Sequence, residues 1–154
     1  MKKSLVIVPT YNEAENIEEL VATVMRLEQS FDMLVVDDNS PDGTARLVEA
    51  LQPKYQDSLH LLKRPTKEGL GPAYLEAFQW ALNYDYDFIF EMDADFSHTV
   101  EDLINMLEHS NNADLVIGSR YIMGGETIGW KKSRELLSKT ANFYSRFLCG
   151  YKIY

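Results

Sequence analysis

The chain has 154 residues, 45% of them hydrophobic and 12% aromatic, long enough for one domain with a proper core. Its formal net charge of −9 argues against a nucleic-acid partner, whose electrostatic footprint is basic. One cysteine, Cys149, excludes an internal disulfide framework and fits a reducing compartment.

In chain order, the opening MKKSLVIVPTYNE has an apolar run only from Leu5 to Val8 before Pro9. That is too short for a signal peptide's apolar region and reads as a first strand. Further short apolar runs follow at MLVVD (33–37), LHLLK (59–63), FIFEM (88–92) and DLVIGS (114–119). Between them, Ile17, Leu20, Val21, Val24 and Leu27 keep helical spacing, as do Leu47, Val48 and Leu51. The same spacing recurs through Ala73, Ala77, Phe78, Ala81 and Leu82, then Leu103, Met106 and Leu107. Asn12 with Glu15, Ser40 before Pro41, and Thr99 with Asp102 are the expected helix caps. Repeated β-α units with nearly continuous apolar strands predict an α/β fold, a mostly parallel sheet covered by helices on both faces. No window approaches about 18 apolar residues, so no transmembrane helix is expected within the chain and the predicted location is cytosolic.

Ligands of such a sheet bind beyond the carboxyl ends of its strands. PTYNE, DDNSPDG, RPTKEGLG, DAD and GSRY follow the five predicted strands in turn. In EMDADFSH, Glu91, Asp93 and Asp95 stand at alternate positions, so an extended backbone puts them on one face. Carboxylates so close repel unless a cation lies between them. Asp93 and Asp95 flank one residue and supply hard oxygen ligands for Mg²⁺ or Mn²⁺, which keep other positions for water and phosphate oxygens. In VVDDNSPDG two readings compete: Asp37 and Asp38 as ligand acceptors, or Asp as a turn former with Ser40 as a cap. A phosphoacceptor receiver domain needs its acidic pair after the first strand and a Lys ending the fifth; this chain offers a second-strand pair and Arg120. KEGLGPAY (67–74) is either an anion-binding glycine loop opening a helix or an ordinary glycine turn. It is not G-x-G-x-x-G and follows the third strand, which disfavours a dinucleotide fold.

The charge is unevenly placed. Residues 1–130 hold 9 Lys and Arg against 23 Asp and Glu, whereas residues 131–154 hold 6 against 1. In that last segment Leu136, Leu137, Phe143, Tyr144, Phe147 and Leu148 interleave with Lys131, Lys132, Arg134, Lys139, Arg146 and Lys152. A basic amphipathic helix at an anionic membrane surface and a core-packed helix with a solvated basic face both account for it.

Six motifs in order, VPTYNEAENI, VVDDNSPDG, KEGLGPAY, EMDADFSH, GSRY followed by GG, and W…SRELLSKTANFYSRFLCG, carry a resemblance. The chain closely resembles family 2 glycosyltransferases of the polyprenol-phosphate (dolichyl-phosphate) mannosyltransferase type, over essentially its whole length. The resemblance implies a GT-A fold in a single domain over 1–154. It implies inverting transfer of a hexose, typically from GDP-mannose, to a polyprenyl phosphate at the cytoplasmic face of a membrane, with Mg²⁺ or Mn²⁺. A UDP-sugar-dependent glucosyl or N-acetylglucosaminyl transferase and a non-catalytic nucleotide-binding fragment are the alternatives. Carried over by position, Pro9, Tyr11, Glu13 and Asp38 form the nucleoside pocket, with Asp93 and Ala94 also on the nucleotide-sugar. Asp93, Asp95 and Ser97 surround the metal, Ser97 standing where many relatives have Gln. Arg120, Arg134 and Ser138 match positions that grip the acceptor phosphate, which makes Asp95, Arg120 and Arg134 the expected catalytic set. His60 and His109 are read as surface or packing residues, and His98 matches a position without a chemical role. Relatives continue into a D-x-T-x-G-F-[RK] segment past the position of Tyr154, so the resemblance implies an N-terminal fragment whose segment 131–154 faces the acceptor or the membrane.

Overall fold

A computed structural model of the chain describes residues 2–119, 121 and 130–150, the Cys149 side chain excepted. Contacts divide the chain into two compact units, residues 1–112 and 113–154.

In the first unit, strands β1 (Ser4–Thr10), β2 (Phe31–Asp37), β3 (Leu59–Lys63) and β4 (Phe88–Glu91) form a parallel sheet in the order β3-β2-β1-β4. They alternate with helices α1 (Ile17–Val24), α2 (Thr44–Tyr55), α3 (Leu70–Ala81) and α4 (Glu101–His109). The apolar strands read as continuous because both faces of the sheet are covered. Leu5 and Ile7 of β1, with Leu34 and Val36 of β2, pack on Ala73, Ala77 and Ala81 of α3. Those three alanines recur every four residues and let the helix backbone lie close to the strands. Val6, Val8, Met33 and Val35 point the other way, onto Ile17, Leu20, Val21 and Val24 of α1, Val48 of α2 and Leu103 of α4. An edge-on contact between Phe31 and Phe90, centroids 5.5 Å apart, closes the amino end of that layer.

The strand order carries the functional geometry. From β1 the chain steps outward through β2 to β3, then returns to the far side of β1 as β4. The crossovers above β1 and β4 therefore diverge, and the carboxyl ends of these two strands border the switch-point crevice where open α/β sheets take their ligands.

Three expectations are corrected. Residues 114–119 form no strand, and Leu115 and Ile117 are exposed; an apolar run becomes a strand only where it finds a ladder partner. Asn12 is not a helix cap but a turn residue at φ 61°, and α1 begins only at Ile17. Ser40 does not cap α2, which starts at Thr44 after Gly43; its hydroxyl turns back to Asp37. Of the Thr99 and Asp102 pair only the return bond forms, the Thr99 backbone N–H donating to Asp102 Oδ2 at 3.2 Å; α4 starts at Glu101 after Val100 with no side-chain cap.

In the second unit, α5 runs from Lys132 to Cys149. No helix among the described residues is long and apolar enough to cross a membrane.

Candidate active site

The loops after β1 and β2 are stitched together by three consecutive backbone donors. The N–H groups of Asn12, Glu13 and Ala14 donate to Ser40 Oγ, Thr44 Oγ1 and Asp42 Oδ2 at 3.0, 3.0 and 2.9 Å. This is what the SPDGT sequence is for: three short oxygen-bearing side chains within five residues, on a turn that Gly43 closes at φ 94°. Burial opposes ionisation of Asp42, but the Thr44 hydroxyl and the Ala14 and Thr44 N–H groups more than offset it and hold the carboxyl below its usual range. The acidic pair divides its labour. Asp37 is buried and accepts from Thr10 Oγ1 at 3.1 Å, from the Ser40 N–H at 3.0 Å and from the Ser40 hydroxyl, so it is committed to structure. Asp38, also buried, accepts from the Arg64 guanidinium.

Around this frame stand the expected nucleoside-pocket residues. Pro9 is half-buried in β1 opposite Val36, and Tyr11 is exposed beyond the strand end. The Lys67 ammonium lies 3.6 Å from the Tyr11 ring centroid, a cation–π contact from the loop after β3. Glu13 is half-buried and its carboxylate accepts from the Asn16 amide at 2.8 Å. In KEGLGPAY, Gly69 precedes α3 at φ 101° and ψ 173°, a conformation reserved for glycine.

Beyond β4 burial alternates as far as Ala94: Phe90, Met92 and Ala94 are buried, Glu91 is exposed and Asp93 half-buried, and the chain then bends through residues 94–98 with Asp95 exposed. The extended path persists past the strand because the Met92 N–H donates to Ile7 O at 3.1 Å. Phe96 then turns at φ 57°, unusual for an aromatic residue, and brings the Ser97 N–H onto Asp95 Oδ1 at 2.9 Å. The Ser97 hydroxyl and N–H together hold the Asp95 carboxyl below the ordinary range despite some burial. No donor among the described residues reaches the Asp93 carboxylate, whose charge, after burial and with that of Glu91, raises the Tyr74 phenol. An ionised Asp95 in a fixed orientation and an Asp93 without an internal partner fit a hard divalent ion. Among the described residues no third His, Cys, Asp or Glu joins them, so such an ion would draw its remaining ligands from water or a diphosphate. His98 is exposed, and His109 is capped on its own helix by Asn105 O.

Of the expected acceptor residues, Arg120 lies outside the described residues. Arg134 and Ser138 are one turn apart on α5, on the same face; the Arg134 guanidinium lies 4.1 Å from the Trp130 ring centroid. The helix exposes Leu136, Leu137, Phe143, Tyr144, Phe147 and Leu148, each at 60% or more.

Sequence reasoning passed over Arg64. The only signal was a cation directly after β3, at the strand edge where acidic residues gather, and a separation of 26 positions from Asp38 hides the contact.

A parallel four-stranded sheet in this order, alternating with helices, defines an α/β domain of the GT-A type. The family model described as "Glycosyl transferase family 2" matches residues 5–154, and the chain belongs to that family. It is 47% identical over 154 residues to "Polyprenol monophosphomannose synthase" of Mycolicibacterium smegmatis, covering 99% of this chain and 58% of that protein. It is 46% identical to "Undecaprenyl-phosphate mannosyltransferase" of Micrococcus luteus, covering 95% of this chain and 60% of that one. Among solved structures, S. aureus TarS 1-349 in complex with UDP-GlcNAc matches with a TM-score of 0.56 at 26% identity, over 77% of this chain and 38% of that one. The chain thus spans about three fifths of the length of these two mannosyltransferase relatives.

Proposed function

We propose that this chain carries the donor side of an inverting transferase that moves a mannosyl group from GDP-mannose to a polyprenyl phosphate. The observation that carries the reading is the carboxylate pair Asp93 and Asp95 at the carboxyl edge, on the opposite side of the switch point from Tyr11, Glu13 and Asp38. The names of relatives at 46–47% identity support mannose and a polyprenyl acceptor. A UDP-sugar donor is the second reading, supported by the UDP-GlcNAc complex of a structure only 26% identical.

In this reading Pro9, Tyr11, Glu13 and Asp38 take the nucleoside, and Ala94 also lies on the nucleotide-sugar. Asp93 and Asp95 hold Mg²⁺ or Mn²⁺ with Ser97 orienting Asp95. When bound, the ion neutralises charge developing on the departing diphosphate. An oxygen of the acceptor phosphate attacks the anomeric carbon from the opposite side, the bond from that carbon to the diphosphate oxygen breaks, and the nucleoside diphosphate leaves. A phosphate monoester with a second pKa near ~6 is already nucleophilic at neutral pH, so no strong general base is required. Arg120, Arg134 and Ser138 hold and orient that anion. The basic α5 with its exposed apolar side chains suits a peripheral position at an anionic cytoplasmic membrane surface.

Calorimetry with GDP and with UDP in Mn²⁺ tests the donor, and tighter UDP binding would overturn GDP-mannose. Transfer of labelled mannose to a short polyprenyl phosphate, by this chain and by one extended to the relatives' full length, tests the activity. Transfer by neither folded protein would reduce the chain to a nucleotide-binding module.

A further inference from the structure

Arg64 is the first residue after β3, and its side chain is 1% exposed. Its Nη1 donates to Asp38 Oδ1, its Nε to Glu76 Oε1 at 2.9 Å and its Nη2 to Glu68 Oε2 at 3.1 Å. The main chain at both ends is held as well. The Arg64 N–H donates to Asp37 O at 2.8 Å, and the Asp38 N–H donates to Thr10 O at 3.1 Å.

The three carboxylates are not equivalent. Glu68 and Glu76 are 59% and 45% exposed, so water can solvate them if the guanidinium is removed. Asp38 is 8% exposed, so removing Arg64 would leave its carboxylate buried without this partner. The planar fork also sets the carboxylate's orientation in a way a point charge does not. Only Oδ1 is used: no donor among the described residues reaches Asp38 Oδ2. An ionised carboxylate has room for further hydrogen bonds, so a fixed anionic acceptor is left at the end of β2.

Resting on the donor-binding reading above, we propose that Arg64 is a positioning residue for the donor's base: it holds Asp38 in one orientation, so that the free oxygen accepts from a ring imino N–H of the nucleobase. Guanine and uracil both carry such a group, so Arg64 serves recognition of an imino-bearing base, and the choice between the two falls to other contacts. Glu68 and Glu76 anchor the guanidinium to the loop before α3 and to α3 itself.

The test compares wild type, Arg64→Met and Arg64→Lys by calorimetry in Mn²⁺. The probes are GDP or UDP, whichever the wild type binds more tightly, and inorganic pyrophosphate, which lacks a base. Arg64→Met should weaken the nucleotide about 10- to 100-fold, the scale for losing a buried charged partner, and leave pyrophosphate affinity unchanged. Arg64→Lys should recover part of that loss. Unchanged nucleotide affinity in a folded Arg64→Met protein would overturn the inference, as would equal losses for nucleotide and pyrophosphate. If the Met variant does not fold, Arg64→Lys carries the same test: a loss confined to the nucleotide supports the role, and no loss or an equal loss removes it. A wild type that binds neither nucleotide would overturn the donor-binding reading and this one with it.

Discussion

Glu13 and Thr44 meet across the ends of two strands: the Glu13 backbone N–H donates to Thr44 Oγ1 at 3.0 Å, and the same hydroxyl donates to Asp42 Oδ1 at 2.6 Å. Thr44 is buried, so neither bond can be replaced by water. Thr44→Val keeps the shape and removes both bonds. It should cost about 1–3 kcal/mol, the penalty of an unsatisfied buried donor, read from urea unfolding. Because the stitched loop carries Tyr11 and Glu13, nucleotide affinity should fall as well. Thr44→Ser, which restores the oxygen, should recover most of both; equal behaviour of Val and Ser would show that the hydroxyl is not what joins the loops.

Asp95→Asn removes one negative charge with little change of shape. Asn can still accept the Ser97 N–H, so stability of the nucleotide-free protein should move by no more than about 0.5 kcal/mol. Affinity for GDP in Mn²⁺ should weaken by about 1–3 kcal/mol. A melting curve and one titration separate the two effects, and Mn²⁺-dependent binding retained in the folded variant would defeat the metal assignment.

His60 on β3 packs against Trp80, centroids 4.8 Å apart, and burial lowers its imidazole pKa, with Asp32 and Asp57 only partly opposing. The unfolded chain therefore takes up this proton more readily than the folded one. Stability from this residue is complete above the ordinary value of 6.5 and is lost as pH falls through 6.5 toward the lower folded value. Thermal unfolding at pH 8 and pH 5 should show a larger loss for wild type than for His60→Phe. Parallel losses in the two proteins would remove His60 as the source.

The α5 helix should bind vesicles of anionic lipid and not of neutral lipid, because Lys131, Lys132, Arg134, Lys139 and Arg146 accompany its exposed apolar side chains. Cosedimentation of the chain with such vesicles, falling with added salt and with Leu137→Asp or Phe147→Asp, is the expected outcome. Retention unaffected by either substitution would leave the helix to another partner.

Much of this protein is legible without coordinates, because strands and helices bury residues at fixed local periods. The runs at Leu5, Met33, Leu59 and Phe88 became the four described strands, and past the last of them burial alternates as far as Ala94. Periodicity failed where the outcome depended on a distant partner. DLVIGS has the composition of a strand and makes none, and Asn12 and Ser40 have the chemistry of caps but were drawn into bonds across the strand ends. Composition likewise could not divide Asp37 from Asp38. Their neighbours differ only because β3 lies beside β2 and delivers Arg64 to one of them, and because β1 delivers Thr10 to the other. The sequence by itself determined the four apolar strands and the loops that follow their ends. Only the tertiary structure decided which of those ends face each other, since a hydrogen bond across 26 residues leaves no local period to read.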